Sequence, residues 1–179
     1  MNSALALFLS SVLVSAAIFD IRVQKIPNLL TYPTMAVGLI YHSFTNGVEG
    51  FFFGAGGIGV GIGLFLIPYL IGVMGAGDAK LMGAVGAALG AKGVFYAVLL
   101  SAIVGGLYAL IVLLFHLTFF KGLLKRYAVT IKTLFFTGQL VLIPAAEDEP
   151  KPKLYYGVAI ALGTLVYVCF EMMGYDFLT

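Results

Sequence analysis

Two carboxylates stand where carboxylates are costly. Asp20 closes the first long apolar stretch and is followed by Ile26-Pro27-Asn28, and Asp78 lies within Gly75-Ala76-Gly77-Asp78-Ala79-Lys80-Leu81, between two further apolar stretches. The other acids, Glu49, Glu147, Asp148, Glu149, Glu171 and Asp176, fall in loops, in the tail or at the end of an apolar stretch. Two carboxylates brought close together do not both ionise easily, so they share a proton near neutral pH: one is general base and the other general acid. Such a pair activates water and protonates a leaving amine without a metal, which is the chemistry of an aspartic protease. Gly75 and Gly77 leave room for a substrate backbone beside Asp78 and permit unusual backbone angles. Lys80 is placed to stabilise negative charge or to meet a lipid phosphate. Taken singly, each aspartate also has a plainer reading, Asp78 as an N-cap of the helix that follows it and Asp20 as a polar stop at a membrane edge. His42 and His116 sit near opposite ends of their stretches with no Cys or Glu cluster beside them, so no metal or other cofactor is expected.

The elements that must position this pair are membrane helices. The chain of 179 residues is 61% hydrophobic and 10% charged, with a mean hydropathy of +1.08, far from the composition of a soluble domain. Its net charge of +2 carries no signature of a nucleic-acid partner. The apolar stretches predict a single all-α integral membrane domain over residues 1–179, a bundle of six spans at 2–19, 29–44, 51–73, 79–91, 93–119 and 154–173. A full crossing takes roughly 20 apolar residues. The fourth span, at about 13 residues and 1.5 Å each, covers only roughly 20 Å, so it stops partway through the bilayer or lies tilted within the bundle. Backbone irregularity such as the Gly75–Asp78 turn survives at that depth only inside protein or beside a wet cavity. Gly57 with Gly61, and Gly59 with Gly63, are spaced to let helix backbones approach closely.

Residues 121–143 predict one more helix, of a different kind. Lys121, Lys125 and Lys132 share a narrow sector and Leu123, Leu124, Tyr127, Ile131, Leu134 and Phe135 cluster opposite, the pattern of an amphipathic helix lying in the interface against membrane lipid. The charged, proline-bearing stretch 147–153 is a solvated connector. With the N-terminus outside, nine of the ten cations fall on the cytoplasmic side and Lys92 alone falls opposite or within the membrane. That orientation puts Asp20 and Asp78 together at the cytoplasmic ends of their helices. The first cation, Arg22, follows the first apolar run instead of preceding it, unlike a cleavable signal, so the span is expected in the mature protein.

Asp20 with Ile26-Pro27-Asn28, followed by the Gly75-to-Leu81 motif on the same membrane face, resembles the two-motif signature of the type IV prepilin peptidases, which are Gly-x-Gly-Asp intramembrane aspartic proteases. The resemblance implies that Asp20 and Asp78 are the catalytic pair, supported by Pro27, Asn28, Gly75, Gly77 and Lys80. It implies an endopeptidase of the bacterial inner membrane that removes a short basic leader from prepilin or pseudopilin substrates at the cytoplasmic face. The single cysteine, Cys169, leaves no Cys-x-x-Cys, so the chain looks like the short, stand-alone type of tight-adherence and related pilus systems, for which methylation is not implied. A proton-coupled or ion transporter using intramembrane carboxylates is the chief alternative, and a non-enzymatic assembly subunit the next. Neither needs the Pro-Asn motif or the Gly-x-Gly turn.

Overall fold

A computed structural model describes residues 2–115, 128–130, 132–133, 136 and 154–174. Among these the ordered elements are helices: α1 (Ser3–Val23), α2 (Asn28–Leu70), α3 (Ala76–Phe115) and α4 (Tyr156–Met172). The first three are long and apolar enough to cross a membrane, and α4 is a shorter apolar helix. The predicted interfacial helix lies largely outside the described residues, as do Lys121, Lys125, His116 and the 147–153 connector. The chain divides into two units, Met1–Gly106 with Tyr155–Thr179, and Leu107–Leu154; both aspartates belong to the first.

At 43 and 40 residues, α2 and α3 would extend roughly 60 Å if straight, twice the hydrocarbon thickness. Neither is straight. Gly47 (φ 60°, ψ −135°) interrupts α2 and Gly90 (φ 72°, ψ 178°) interrupts α3, both in backbone conformations that L side chains rarely adopt. The two breaks fall between predicted spans two and three and between spans four and five. Each reverses the chain. Gly50 packs on the His42 backbone and Gly54 on Leu39, so the arms of α2 run antiparallel. Beyond Gly90 the second arm of α3 returns along α4, with Gly93 near Tyr167, Gly163 on Ser101 and Gly105 on Ala159.

The first arm of α3, Ala76 to Leu89, measures roughly 21 Å and forms the centre of this unit. Every residue from Leu81 to Gly90 is buried. Small side chains make this possible, because hydrocarbon offers apolar helices no hydrophobic gain on association and close van der Waals packing must hold them together. Gly57 meets Gly86 and Gly61 meets Met82, backbone against backbone. Gly59 and Gly63, by contrast, face open space and serve no such contact. At the far end of the short arm, His42 Nε2 lies 2.9 Å from the Ala88 carbonyl; since a carbonyl only accepts, this nitrogen carries the proton. The contact supplies a donor to one of the carbonyls that a helix end leaves unpaired.

The exterior of the unit is also apolar: Leu7 is 70% exposed, Leu29 85% and Phe44 87%. Large apolar side chains at such density on an outer surface suit lipid and not water.

Candidate active site

The inward stripe of α1 comprises Leu5, Leu9, Val12, Leu13 and Ala16, at intervals of three and four, and the next position on that stripe is Asp20. The periodicity that buries the leucines therefore also buries a carboxylate, which is 7% exposed. α1 ends four residues later, where Gln24 turns into the left-handed region (φ 53°) and its amide donates to the Asp20 carbonyl at 2.9 Å. Helix α4 runs antiparallel to α1, and the amide of Gly157 in its first turn donates to Asp20 Oδ2 at 2.8 Å.

Asp78 is 8% exposed and is the third residue of α3. It is not the N-cap that the sequence suggests. Its Oδ2 reaches back to accept the amide of Gly75 at 2.9 Å, while its own amide donates to the Gly75 carbonyl at 3.1 Å. This is the geometry of the acidic partner in a capping box. Neither Gly75 nor Gly77 adopts a positive φ, so the unusual backbone angles expected of them are not used. Gly77 matters by its missing side chain: a Cβ there would lie 3.2 Å from Ile26 Cβ and 3.4 Å from Ile26 N.

The two motifs are thus one assembly. Ile26 seats against Gly77, Pro27 in extended backbone (φ −65°, ψ 139°) caps α2, and its carbonyl accepts from the amides of Leu30 and Thr31. Asn28 Oδ1 accepts from Lys80 Nζ at 2.9 Å, and Lys80 lies 5.2 Å from the Tyr32 ring centroid. Lys80 is therefore committed to α2. Among the described residues neither aspartate pairs with a cation, and no group of three His, Cys, Asp or Glu residues could hold a metal ion.

The two carboxylates come from different helices to one end of the unit: Asp20 near the end of α1, held by the first turn of α4, and Asp78 in the first turn of α3. Capping alone does not account for the pair. A cap is worth about 1 kcal/mol and asparagine or serine supplies it equally well, whereas burying a carboxylate costs several kcal/mol. Two buried carboxylates that no cation among the described residues neutralises form the candidate site.

Residues 7–110, which contain both motifs, match the sequence profile of the type IV leader peptidase family. The chain belongs to this family. A prepilin leader peptidase/N-methyltransferase of Vibrio cholerae serotype O1 is 33% identical over 115 residues, covering 58% of this chain and 43% of that protein. The chain thus spans less than half the length of that relative. No solved structure matches it. In this member of the leader peptidase family the sequence reading named Asp20, Pro27, Asn28, Gly75, Gly77, Asp78 and Lys80, which lie at the end of α1 and the starts of α2 and α3, but it passed over Gly157 and Tyr156. The only signal for them was a glycine directly after two tyrosines at the mouth of the last apolar stretch.

Proposed function

We propose that the chain is an aspartic endopeptidase of the bacterial inner membrane that removes basic leader peptides from prepilin or pseudopilin precursors, with Asp20 and Asp78 as the catalytic pair. One observation carries this reading: two buried carboxylates from different helices share one end of the fold, and among the described residues no cation neutralises either of them. Family membership and the named Vibrio relative supply the substrate class.

In the mechanism, the ionised aspartate takes a proton from water as its oxygen bonds to the scissile carbonyl carbon. The protonated partner supports the developing oxyanion. Collapse of the tetrahedral intermediate breaks the C–N bond, and the leaving amine takes up a proton from the pair. Among the described residues Asp78 Oδ1 takes no hydrogen bond from the protein, which leaves it open to water or substrate. Pro27, Asn28, Gly77 and Lys80 lock the start of α2 onto the start of α3, and Gly75 anchors the Asp78 carboxylate.

The chain is read as a single membrane domain crossing six times: α1, the two arms each of α2 and α3, and α4. Arg22, Lys25 and Lys80 accompany the aspartates at one end while Lys92 lies beyond the Gly90 break, a bias that supports a cytoplasmic active end. The test is co-expression with candidate prepilins, scored for leader loss on a gel. Parent protein should process its substrate, and Asp20→Asn or Asp78→Asn should not, at equal membrane levels. Processing by either variant would remove that residue from the pair.

A further inference from the structure

The family profile ends at residue 110, yet the group that holds Asp20 comes from beyond it. The first amides of a helix have no partner within the helix, and Gly157, the second residue of α4, turns one of them onto Asp20 Oδ2 at 2.8 Å. The Val158 amide bears on the same carboxylate. The approach depends on glycine: a Cβ at 157 would stand 2.9 Å from both Cβ and Oδ2 of Asp20 and 3.0 Å from its Cγ. Carboxylate and helix start could not then keep their places.

α4 is itself fixed from the other side. Ser101 Oγ donates to the Ile160 carbonyl at 3.3 Å, and Gly163 lies against the Ser101 backbone. A carboxylate held by a buried backbone donor on a clamped helix keeps one position, whereas one held by a flexible side chain does not.

We propose that the first turn of α4, Tyr156-Gly157-Val158, is a positioning element of the catalytic pair, with Gly157 the residue that sets where the Asp20 carboxylate stands. This rests on the protease reading above and extends it to a segment outside the family match. Gly157 touches no substrate; it acts through Asp20. Its loss therefore reaches the chemical step and spares substrate binding, and a displacement of about 1 Å at a reacting group costs up to roughly 100-fold in rate.

The experiment measures kcat and KM separately for full-length protein in proteoliposomes, with a processed prepilin as substrate and the amount of folded enzyme quantified. Gly157→Ala should lower kcat by about 10-fold to 100-fold and leave KM within about twofold. Gly50→Ala, on another helix and against the His42 backbone at the end away from the aspartates, should reduce the folded amount and leave kcat per folded molecule unchanged. If Gly157→Ala does not accumulate, Val158→Pro removes an amide aimed at Asp20 without adding an atom at 157. Proline is tolerated in a first helical turn, so this variant should fold and still lose kcat several-fold. Parental kcat in folded Gly157→Ala, or in Val158→Pro where that variant is needed, overturns the proposal, as does an equal kcat loss in Gly50→Ala. Cleavage by Asp20→Asn in the same assay would instead overturn the protease reading itself, which separates the two failures.

Discussion

Lys80 Nζ donates to Asn28 Oδ1 at 2.9 Å across 52 positions of sequence, with the Tyr32 ring 5.2 Å away, one turn further along α2. The contact ties the residue after Pro27 to the residue two beyond Asp78, so the starts of α2 and α3 move as one body.

A partly exposed polar contact of this kind is worth about 0.2–1 kcal/mol, and a cation over a ring adds a similar amount. Lys80→Met and Asn28→Ala should therefore each leave the protein folded and slow leader cleavage by less than about tenfold. In a double-mutant cycle read by cleavage rate, the pair of substitutions should cost no more than the worse single one. Simple additivity would mean that each residue acts alone and that the observed contact contributes nothing to activity.

Much of this arrangement was legible in the sequence, and the reasons are physical. Apolar stretches must be helices in hydrocarbon, so spans and short connections follow from composition. The shortness of the fourth span was readable because glycine and alanine crowd it and Gly90 ends it. The position of Asp20 on the buried stripe was readable from the spacing of Leu9, Leu13 and Ala16. What the sequence hid were contacts between distant segments. Nothing at Gly157 announces that its amide meets residue 20, since a glycine at a helix start is common for local reasons alone. The fit of Gly77 against Ile26 was hidden for the same cause: it exists only once α1 has ended and the chain has turned back.

Removing the charge of either aspartate should separate catalysis from stability. Asparagine keeps an oxygen that accepts the Gly75 or Gly157 amide, so the caps survive, while the cost of burying a carboxylate disappears. Asp20→Asn and Asp78→Asn should thus unfold in detergent at temperatures equal to or above that of the parent, with cleavage down by at least about 10²-fold. A marked fall in unfolding temperature would show that the carboxylates are retained for structure.

The two glycines of the second motif should differ. At Gly77 an added methyl meets Ile26 at 3.2–3.5 Å, tighter than ordinary contact and against backbone as well as side chain. At Gly75 its nearest neighbour is Asp78 Oδ2 at 3.5 Å, an ordinary distance. Gly77→Ala should cost about 1–2 kcal/mol of stability and several-fold in cleavage, and Gly75→Ala markedly less on both counts. Thermal unfolding and processing rates of the two variants, compared side by side, check the order. The reverse order would mean that the room beside Asp78, and not the seat of Ile26, is what the motif protects.

Orientation gives the last prediction. Helices α1 and α4 run antiparallel, and Asn2 and Leu5 line the same cavity as Glu171 at the end away from the aspartates. The cations then decide which side that end faces, because Lys and Arg flanking membrane spans are retained in the cytoplasm. A reporter active only in the periplasm should work when fused after Thr179 and fail when fused at Glu149. A reporter active only in the cytoplasm should give the opposite result. Inversion of both patterns would place Asp20 and Asp78 outside, where a basic leader still attached to an uncleaved precursor does not reach them, and the prepilin assignment would have to be abandoned.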